Sequence, residues 1–359
     1  MYMLSALRRF CRTWAPLALC LFLSLALCLG CAAPSVSNEA AAPAEGSDAA
    51  PSAENETSAA GETAAQAPSD GQPSDAQVTF ADMKGREIQL EAPATRIVAL
   101  TPADCEILFA LGAGDTIIGR GEYCDYPEAV LSLPVVQSGS NTNVEQILAL
   151  NPQVVALNTM GQSLEQVHAL ESAGVITVAS QATDIAGTYE AIKMLGALTG
   201  RQAEADKLIA SMEEGFAALQ QEAATSGLTG KTVYFEVSPL EYGLWTGGNN
   251  TFMNEIAQLL GLTNIFADVE GWAEISEEQV LSRNPDYIVT IAGVPGNDDA
   301  TLEEILHRQG WDTVTAVQSG GVFTADNNAM ARPGPRLLEA AQSLLAGLAA
   351  HNGALAPAA

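Results

Sequence analysis

The segment Glu145-Gln-Ile-Leu-Ala-Leu-Asn-Pro152 recurs as Glu278-Gln-Val-Leu-Ser-Arg-Asn-Pro285, and each copy runs straight into an apolar, strand-like stretch. Two copies are too few for a solenoid, where at least three repeats must stack to bury a core. They mark a duplicated helix-strand unit instead. A chain carrying it is expected to fold as two lobes of similar build, each showing one acidic side chain at an equivalent place.

The stretch around the repeats fits that plan. Val78 to Leu90 alternates and turns at Met83-Lys84-Gly85, the pattern of a β-hairpin. Arg96 to Thr101 reads as a buried strand, Pro102 opens a helix that stops at Gly112-Ala-Gly114, and Asp115 to Gly119 supplies the next strand. The first repeat forms a short helix with Asn143 as its N-cap and Pro152 as its stop, before a strand at Val154 to Leu157. Gln166 to Ala173 and Val175 to Ala179 add a further helix and strand. After Gly227 the rhythm resumes, with strands at Thr232 to Val237 and Tyr287 to Ile291 and helices at Thr251 to Leu260 and Ser276 to Arg283. Alternating strands and helices imply parallel sheets. Between the lobes, apolar residues recur at helical spacing through Ile192, Leu195, Leu198, Leu208, Met212, Phe216 and Leu219, interrupted by Gly200 and Gly215. One long helix or two abutting ones fit equally. The expected organisation is a leader at 1–30, a tether at 31–77, an N-terminal α/β lobe at 78–187, a linking helix at 188–226, a C-terminal α/β lobe at 227–350 and a tail at 351–359.

Arg8, Arg9 and Arg12 precede an unbroken apolar run from Ala15 to Leu29, which has the form of a signal peptide. It ends at Gly30-Cys31, as bacterial lipoprotein leaders do, so Cys31 is the expected lipidation site, with plain secretion or an uncleaved anchor as the alternatives. Residues 32–77 contain no aromatic, Lys or Arg side chain. Such a segment cannot bury enough surface to fold and reads as an acidic tether. The formal charge of −28 leaves no basic stripe for phosphates, so nucleic acid is excluded as a partner and a basic protein surface is favoured. Beyond the leader and Cys31, only Cys105 and Cys124 remain. An exported compartment allows either a disulfide between them or two free thiols.

Nothing in the chain has the pattern of a catalytic constellation. The three histidines, His168, His307 and His351, stand apart from acids and cysteines at ligand spacing, and HExxH, GxSxG, Walker and GxGxxG sequences are missing. Neither an enzyme nor a resident metal site is expected. Aromatic residues make up only 6% of the chain, yet several follow strands: Tyr123 and Tyr126, Tyr242 and Trp245, and Trp272 just before the second repeat. Loops beyond strand ends are where α/β sheets bind ligands. Singly, each such ring is explained by packing; together they suggest a cleft for a large, flat, mostly apolar ligand. Arg332 and Arg336 bracket Pro-Gly-Pro, placed to meet an anionic ligand edge or simply to enter the last helix.

Six ordered motifs carry a family resemblance. Arg96-Ile-Val-Ala-Leu-Thr-Pro, Glu106-Ile-Leu-Phe-Ala-Leu-Gly-Ala-Gly114, Tyr123-Cys-Asp-Tyr-Pro127, the two repeats and Arg332-Pro-Gly-Pro-Arg336 resemble the substrate-binding proteins of ABC importers for cobalamin, haem and ferric siderophores. The likeness spans residues 78–350, and Tyr-Cys-Asp-Tyr-Pro with Gly271-Trp272 leans to the cobalamin branch. It implies an α/β fold of two Rossmann-like lobes joined by a long helical backbone, with little hinge motion, acting as a monomer at the extracytoplasmic face of the membrane. It implies no intrinsic cofactor and a bound corrinoid, alternatively haem or a ferric siderophore. Tyr123, Tyr126, Trp245, Trp272, Asn328 and Arg332 are the ligand-binding residues on this reading. Tyr123 or His168 would be the iron ligand if the cargo were haem. Where enterobacterial cobalamin binders carry further tryptophans in the first lobe, this chain has Gly139 and Asn158. The resemblance also casts Glu145 and Glu278 as the carboxylates that dock on a basic surface of the permease, which works with its ATPase. Glutamates in a first helical turn also complement the helix dipole, and Glu277 stands beside Glu278 as a substitute.

Overall fold

Apolar runs that admit no polar position become strands buried on both faces. Ile97, Val98 and Ala99 are fully buried, as are Val154 to Leu157. The computed structural model describes residues 77–158, 161–292 and 298–355. The leader, the tether and Cys31 lie outside the described residues.

The expected β-hairpin, β1 (Val78–Ala81) with β2 (Glu87–Leu90), opens the body, with Val78 opposite Leu90. The first lobe follows as β3 (Ile97–Ala99), α1 (Pro102–Ala110), β4 (Ile117–Gly121), β5 (Val135–Val136), α2 (Val144–Ala149), β6 (Val154–Leu157), α3 (Leu164–Ser172) and β7 (Ile176–Ala179). Its five strands form a parallel sheet in the order β5-β4-β3-β6-β7. β4 begins two residues later than expected, because residues 114–116 form a 3₁₀ turn.

The linking segment is two helices, α4 (Ile185–Thr199) and α5 (Gln202–Ala223), one of the two arrangements that its periodicity allowed. Asp184 caps α4 by accepting from the Gly187 amide. Gly200, at φ 69°, ends it in the left-handed conformation that a side chain resists. α5 then doubles back, so that Ile185 and Tyr189 stand beside Glu213, Phe216 and Gln220. The turn is tight: a Cβ on Gly196 would come within 2.7 Å of the Ala205 methyl. Gly215, a weak point by helix propensity, lets Leu338 of the last helix lie directly on α5.

The second lobe comprises β8 (Thr232–Glu236), β9 (Leu244–Gly247), α6 (Phe252–Leu259), β10 (Thr263–Asn264), β11 (Trp272–Ile275), α7 (Glu277–Arg283), β12 (Tyr287–Thr290), α8 (Asp298–Leu306), α9 (Thr315–Ser319), β13 (Val322–Thr324), α10 (Asn327–Met330) and α11 (Leu337–Leu355). Its parallel sheet runs β10-β8-β12-β13, and β9 and β11 pair antiparallel as a separate ribbon. α11 continues to Leu355, so the described part of the expected tail is helix.

In each lobe the repeated segment carries the chain past the first strand of the sheet: α2 leads to β6 beside β3, and α7 leads to β12 beside β8. These are the points where the strand order reverses, and the crevice beyond the strand ends opens there. The Asn of each copy ends its helix with positive φ, 50° at Asn151 and 46° at Asn284. Asn is among the few side chains that tolerate this conformation, and the following Pro cannot continue a helix. The motif is therefore a helix with its stop signal.

One apolar cluster joins Ile97 and Val154 of the first sheet, Val233 and Val289 of the second, and the inner faces of α4, α5 and α11. Separate clusters cover the opposite face of each sheet. The described residues accordingly belong to one compact unit. Inside the second lobe, Arg308 grips the buried Glu236 through two bonds of 2.6 and 2.9 Å and lies 4.6 Å over the Trp311 ring. Deleting the cation would strand a buried carboxylate. Arg308→Ala is expected to lower unfolding stability by about 3–5 kcal/mol, measured by urea denaturation, whereas exchanging both partners for apolar residues should cost clearly less.

Candidate functional site

The expected ligand residues divide into two groups, one in the segments that follow β4 and β13 and one on the β9–β11 ribbon. Tyr123 and Tyr126 occupy the loop after β4, 65% and 45% exposed. Asn328 lies in α10, just after β13, and Arg332 follows it. These come together across the lobes. The Arg332 guanidinium donates to Asp125 at 2.5 Å, Glu106 at 3.1 Å, the Tyr123 carbonyl at 3.3 Å and the Asn328 side-chain oxygen at 2.7 Å. Asn328 donates in turn to Asp125 at 3.2 Å. Behind it, Arg336 donates twice to Glu106, at 2.9 and 2.7 Å, and lies 4.1 Å over the Tyr126 ring. Four donor contacts already occupy Arg332, so a ligand would have to share or displace them. Asp125, the more exposed of the two acids, is the one that can yield.

Arg336, paired with Arg332 in the sequence reading, completes this clamp together with Glu106 and Asp125, which were not expected in it. Glu106 left one trace in the sequence, as an acid inside an apolar helix whose neighbours Cys105 and Ile107 are fully buried. Its partners lie more than two hundred positions away, beyond the reach of local pattern. The charges reinforce one another: burial tends to raise the Asp125 pKa, but Arg332, with Arg336 farther off, outweighs it and holds the carboxyl below the usual range. Arg332 is pushed up in turn, with burial opposed by Asp125 and Glu106.

Trp245 and Trp272 stand apart on the β9–β11 ribbon. Their register places Trp245 opposite Glu274 and Trp272 opposite Gly247, which puts both rings on one ribbon face. Trp245 is 38% exposed. Trp272 leans on Phe252 at 5.4 Å and lies over Gly247, which has no side chain to obstruct it. Among the described residues, no ring contact bridges this ribbon and the Tyr123–Tyr126 loop. Gly139 lies near Gly161 and the Asn158 carbonyl, and a Cβ on Gly139 would meet nothing within 4 Å. His168 is exposed on α3. A cavity of about 530 Å³ opens elsewhere, between α4, α5 and α6, where burial and then Glu213 and Glu255 push Tyr189 up to about 12. Among the described residues no cluster of His, Cys, Asp or Glu could hold a metal ion.

Glu145 and Glu278 occupy matching positions, second in α2 and in α7, and both are exposed. Asn143 and Ser276 cap these helices by accepting from the Gln146 and Gln279 amides. Glu278 is held below the usual carboxylate range by its own backbone amide and then the Ser276 side chain. Its neighbour Glu277 is already used, accepting the Trp311 indole N–H at 2.8 Å. Cys105 and Cys124 are free thiols, both buried.

Residues 97–329 match the family described as "Periplasmic binding protein". The chain is 32% identical over 271 residues to the "Uncharacterized ABC transporter substrate-binding lipoprotein YvrC" of Bacillus subtilis strain 168, covering 74% of this chain and 84% of that protein. It is 30% identical to the "Vitamin B12-binding protein" of Salmonella paratyphi A, covering 72% and 92%. Among solved structures it resembles "a possible an iron-binding (periplasmic solute-binding) protein" of Staphylococcus epidermidis, with TM-score 0.63, 29% identity and coverage of 70% and 97%.

The clamp has a pH signature. Because the folded Asp125 pKa lies below its ordinary value of 3.8, its contribution is complete above that value and is lost as pH falls through the folded pKa. Asp125→Asn should therefore unfold at lower temperature than the wild type at pH 7. Thermal melts should show that difference closing as pH drops below 3.8.

Proposed function

The chain belongs to the periplasmic binding protein family of ABC importers, and we propose that it carries cobalamin or a related corrinoid between its lobes to such an importer. As a member it is an extracytoplasmic binding protein rather than an enzyme, and its partners are a permease and its ATPase. What carries the corrinoid reading is the rim itself: the loop of Tyr123 and Tyr126 in the first lobe meets Arg332 and Arg336 of the second, with Asn328 beside Arg332 and two tryptophans on a ribbon beyond. Flat rings suit a macrocycle, and amide and guanidinium groups suit its amide-bearing edge. The likeness to a vitamin B12-binding protein points the same way.

Gly139 and Asn158, where enterobacterial cobalamin binders carry tryptophans, take stacking area away from the first lobe. The exposed Tyr123 phenol supports the second reading, haem or a ferric siderophore, because it could serve as an iron ligand. Delivery would use Glu145 and Glu278, paired charges at equivalent helix starts on the same edge as the rim. Anchoring through Cys31 completes this reading.

Tryptophan quenching and visible absorption should show saturable binding of cobalamin, and weaker or no binding of haem and a ferric siderophore. Preference for either iron chelate would replace the corrinoid reading, and failure of all three would remove the ligand class. Reversing both charges, as Glu145→Arg with Glu278→Arg, should leave ligand affinity within about twofold while abolishing uptake in cells expressing the cognate permease; neither glutamate is a hydrogen-bond or ion-pair partner of the clamp residues. Unchanged uptake would refute docking through this pair.

A further inference from the structure

α1 and the loop after β4 converge on a single carbonyl group. The Cys105 thiol points at the Ala99 oxygen from 3.8 Å and the Cys124 thiol at the same oxygen from 3.7 Å. Both side chains are fully buried, and each thiol is within sulfur hydrogen-bonding distance of that one oxygen. Arg120 holds the loop from below, donating to the Cys124 carbonyl at 2.8 Å. The sequence neighbours of these cysteines are the two clamp acids: Glu106 follows Cys105, and Asp125 follows Cys124.

We propose that Cys105 and Cys124 form a disulfide in the exported protein, and that this bond sets the spacing of the two carboxylates that hold Arg332. In the reaction both S–H bonds break and one S–S bond forms. A disulfide-bearing oxidant, protein or small molecule, accepts the two electrons and both protons and becomes a dithiol. Secretion supplies such an oxidant, and cytoplasmic thiol buffers are absent there. The step belongs to folding: once the core closes, the Cys124 contact and then burial push the Cys105 thiol far above its ordinary range, and scarce thiolate leaves the pair unreactive. The same burial shields the finished bond from reductants. It is a structural brace, independent of which ligand the cleft takes.

The brace links two elements that share no strand. α1 carries Glu106, the buried acid shared by Arg332 and Arg336; the loop carries Tyr123, Asp125 and Tyr126. Joining them at adjacent residues holds the first-lobe half of the clamp as one piece before the second lobe arrives.

The full chain, exported from a bacterial host and denatured in iodoacetamide without reductant, should yield a peptide pair linked through Cys105 and Cys124. Recovery of both residues alkylated would overturn the disulfide. Reduced wild type and a Cys105→Ala/Cys124→Ala variant should each melt roughly 5–10 °C below the oxidised protein, as expected for a bridge closing a loop of about 20 residues. For the positioning role, Arg332→Ala should lower Tm clearly less when the pair is reduced or replaced than when it is oxidised. An equal loss in both backgrounds would show that the bond does not set the clamp. If the double alanine variant does not fold, oxidised and reduced wild type provide the same comparison.

Discussion

The apolar stripes of α4 and α5 make two lobes into one molecule. Ala191, Ile192, Leu195 and Leu198 on α4, and Ala205, Ile209, Met212, Phe216 and Leu219 on α5, belong to the same cluster as strands of both sheets. Burying such a face is the main source of helical stability, since in proteins a helix draws most of its stability from packing its amphipathic face rather than from propensity. The doubling back at Gly200 returns α5 along α4, and at the start of α4 the second lobe is joined to it: the Phe252 amide donates to the Thr183 carbonyl at 2.9 Å and the Ile185 amide to Glu255 at 2.7 Å. Separating the lobes would therefore expose apolar surface and break these hydrogen bonds.

A second tie lies at the ligand edge. There the lobes meet through charge, with Arg332 and Arg336 on one side and Glu106 and Asp125 on the other. The two ties differ in strength and in kind. An apolar core cannot be loosened without exposing it to water, whereas a half-buried ion pair can exchange one partner for another when a ligand offers acceptors of its own. That asymmetry suits a protein that must accept and release cargo while its frame stays intact.

Parallel strands place all the loops with chemistry on one edge, because each strand delivers its carboxyl end there and each following helix starts there. The helix starts of α2 and α7 thus share an edge with the tyrosine loop and the Trp245–Trp272 ribbon. Exposed carboxylates and the candidate ligand residues on one rim are what the proposed docking and delivery require.

Much of this was legible in the sequence, since it follows from local rules. The duplicated helix and its Asn-Pro stop, the strands without polar positions, the hairpin at Val78 to Leu90, and the exposed first-turn glutamates all report on neighbours a few residues away. Even the break at Gly200 was present as an alternative. What only the tertiary structure decided concerns partners far apart in the chain. Glu277 was indistinguishable from Glu278 until folding brought Trp311 to it, and Arg332 looked open until Glu106 and Asp125 surrounded it. The two cysteines were merely a pair until Ala99 brought them together. Backbone propensity and apolar periodicity act within a turn or a strand and are written into consecutive residues; the pairing of charges and thiols depends on where the folded sheets place them.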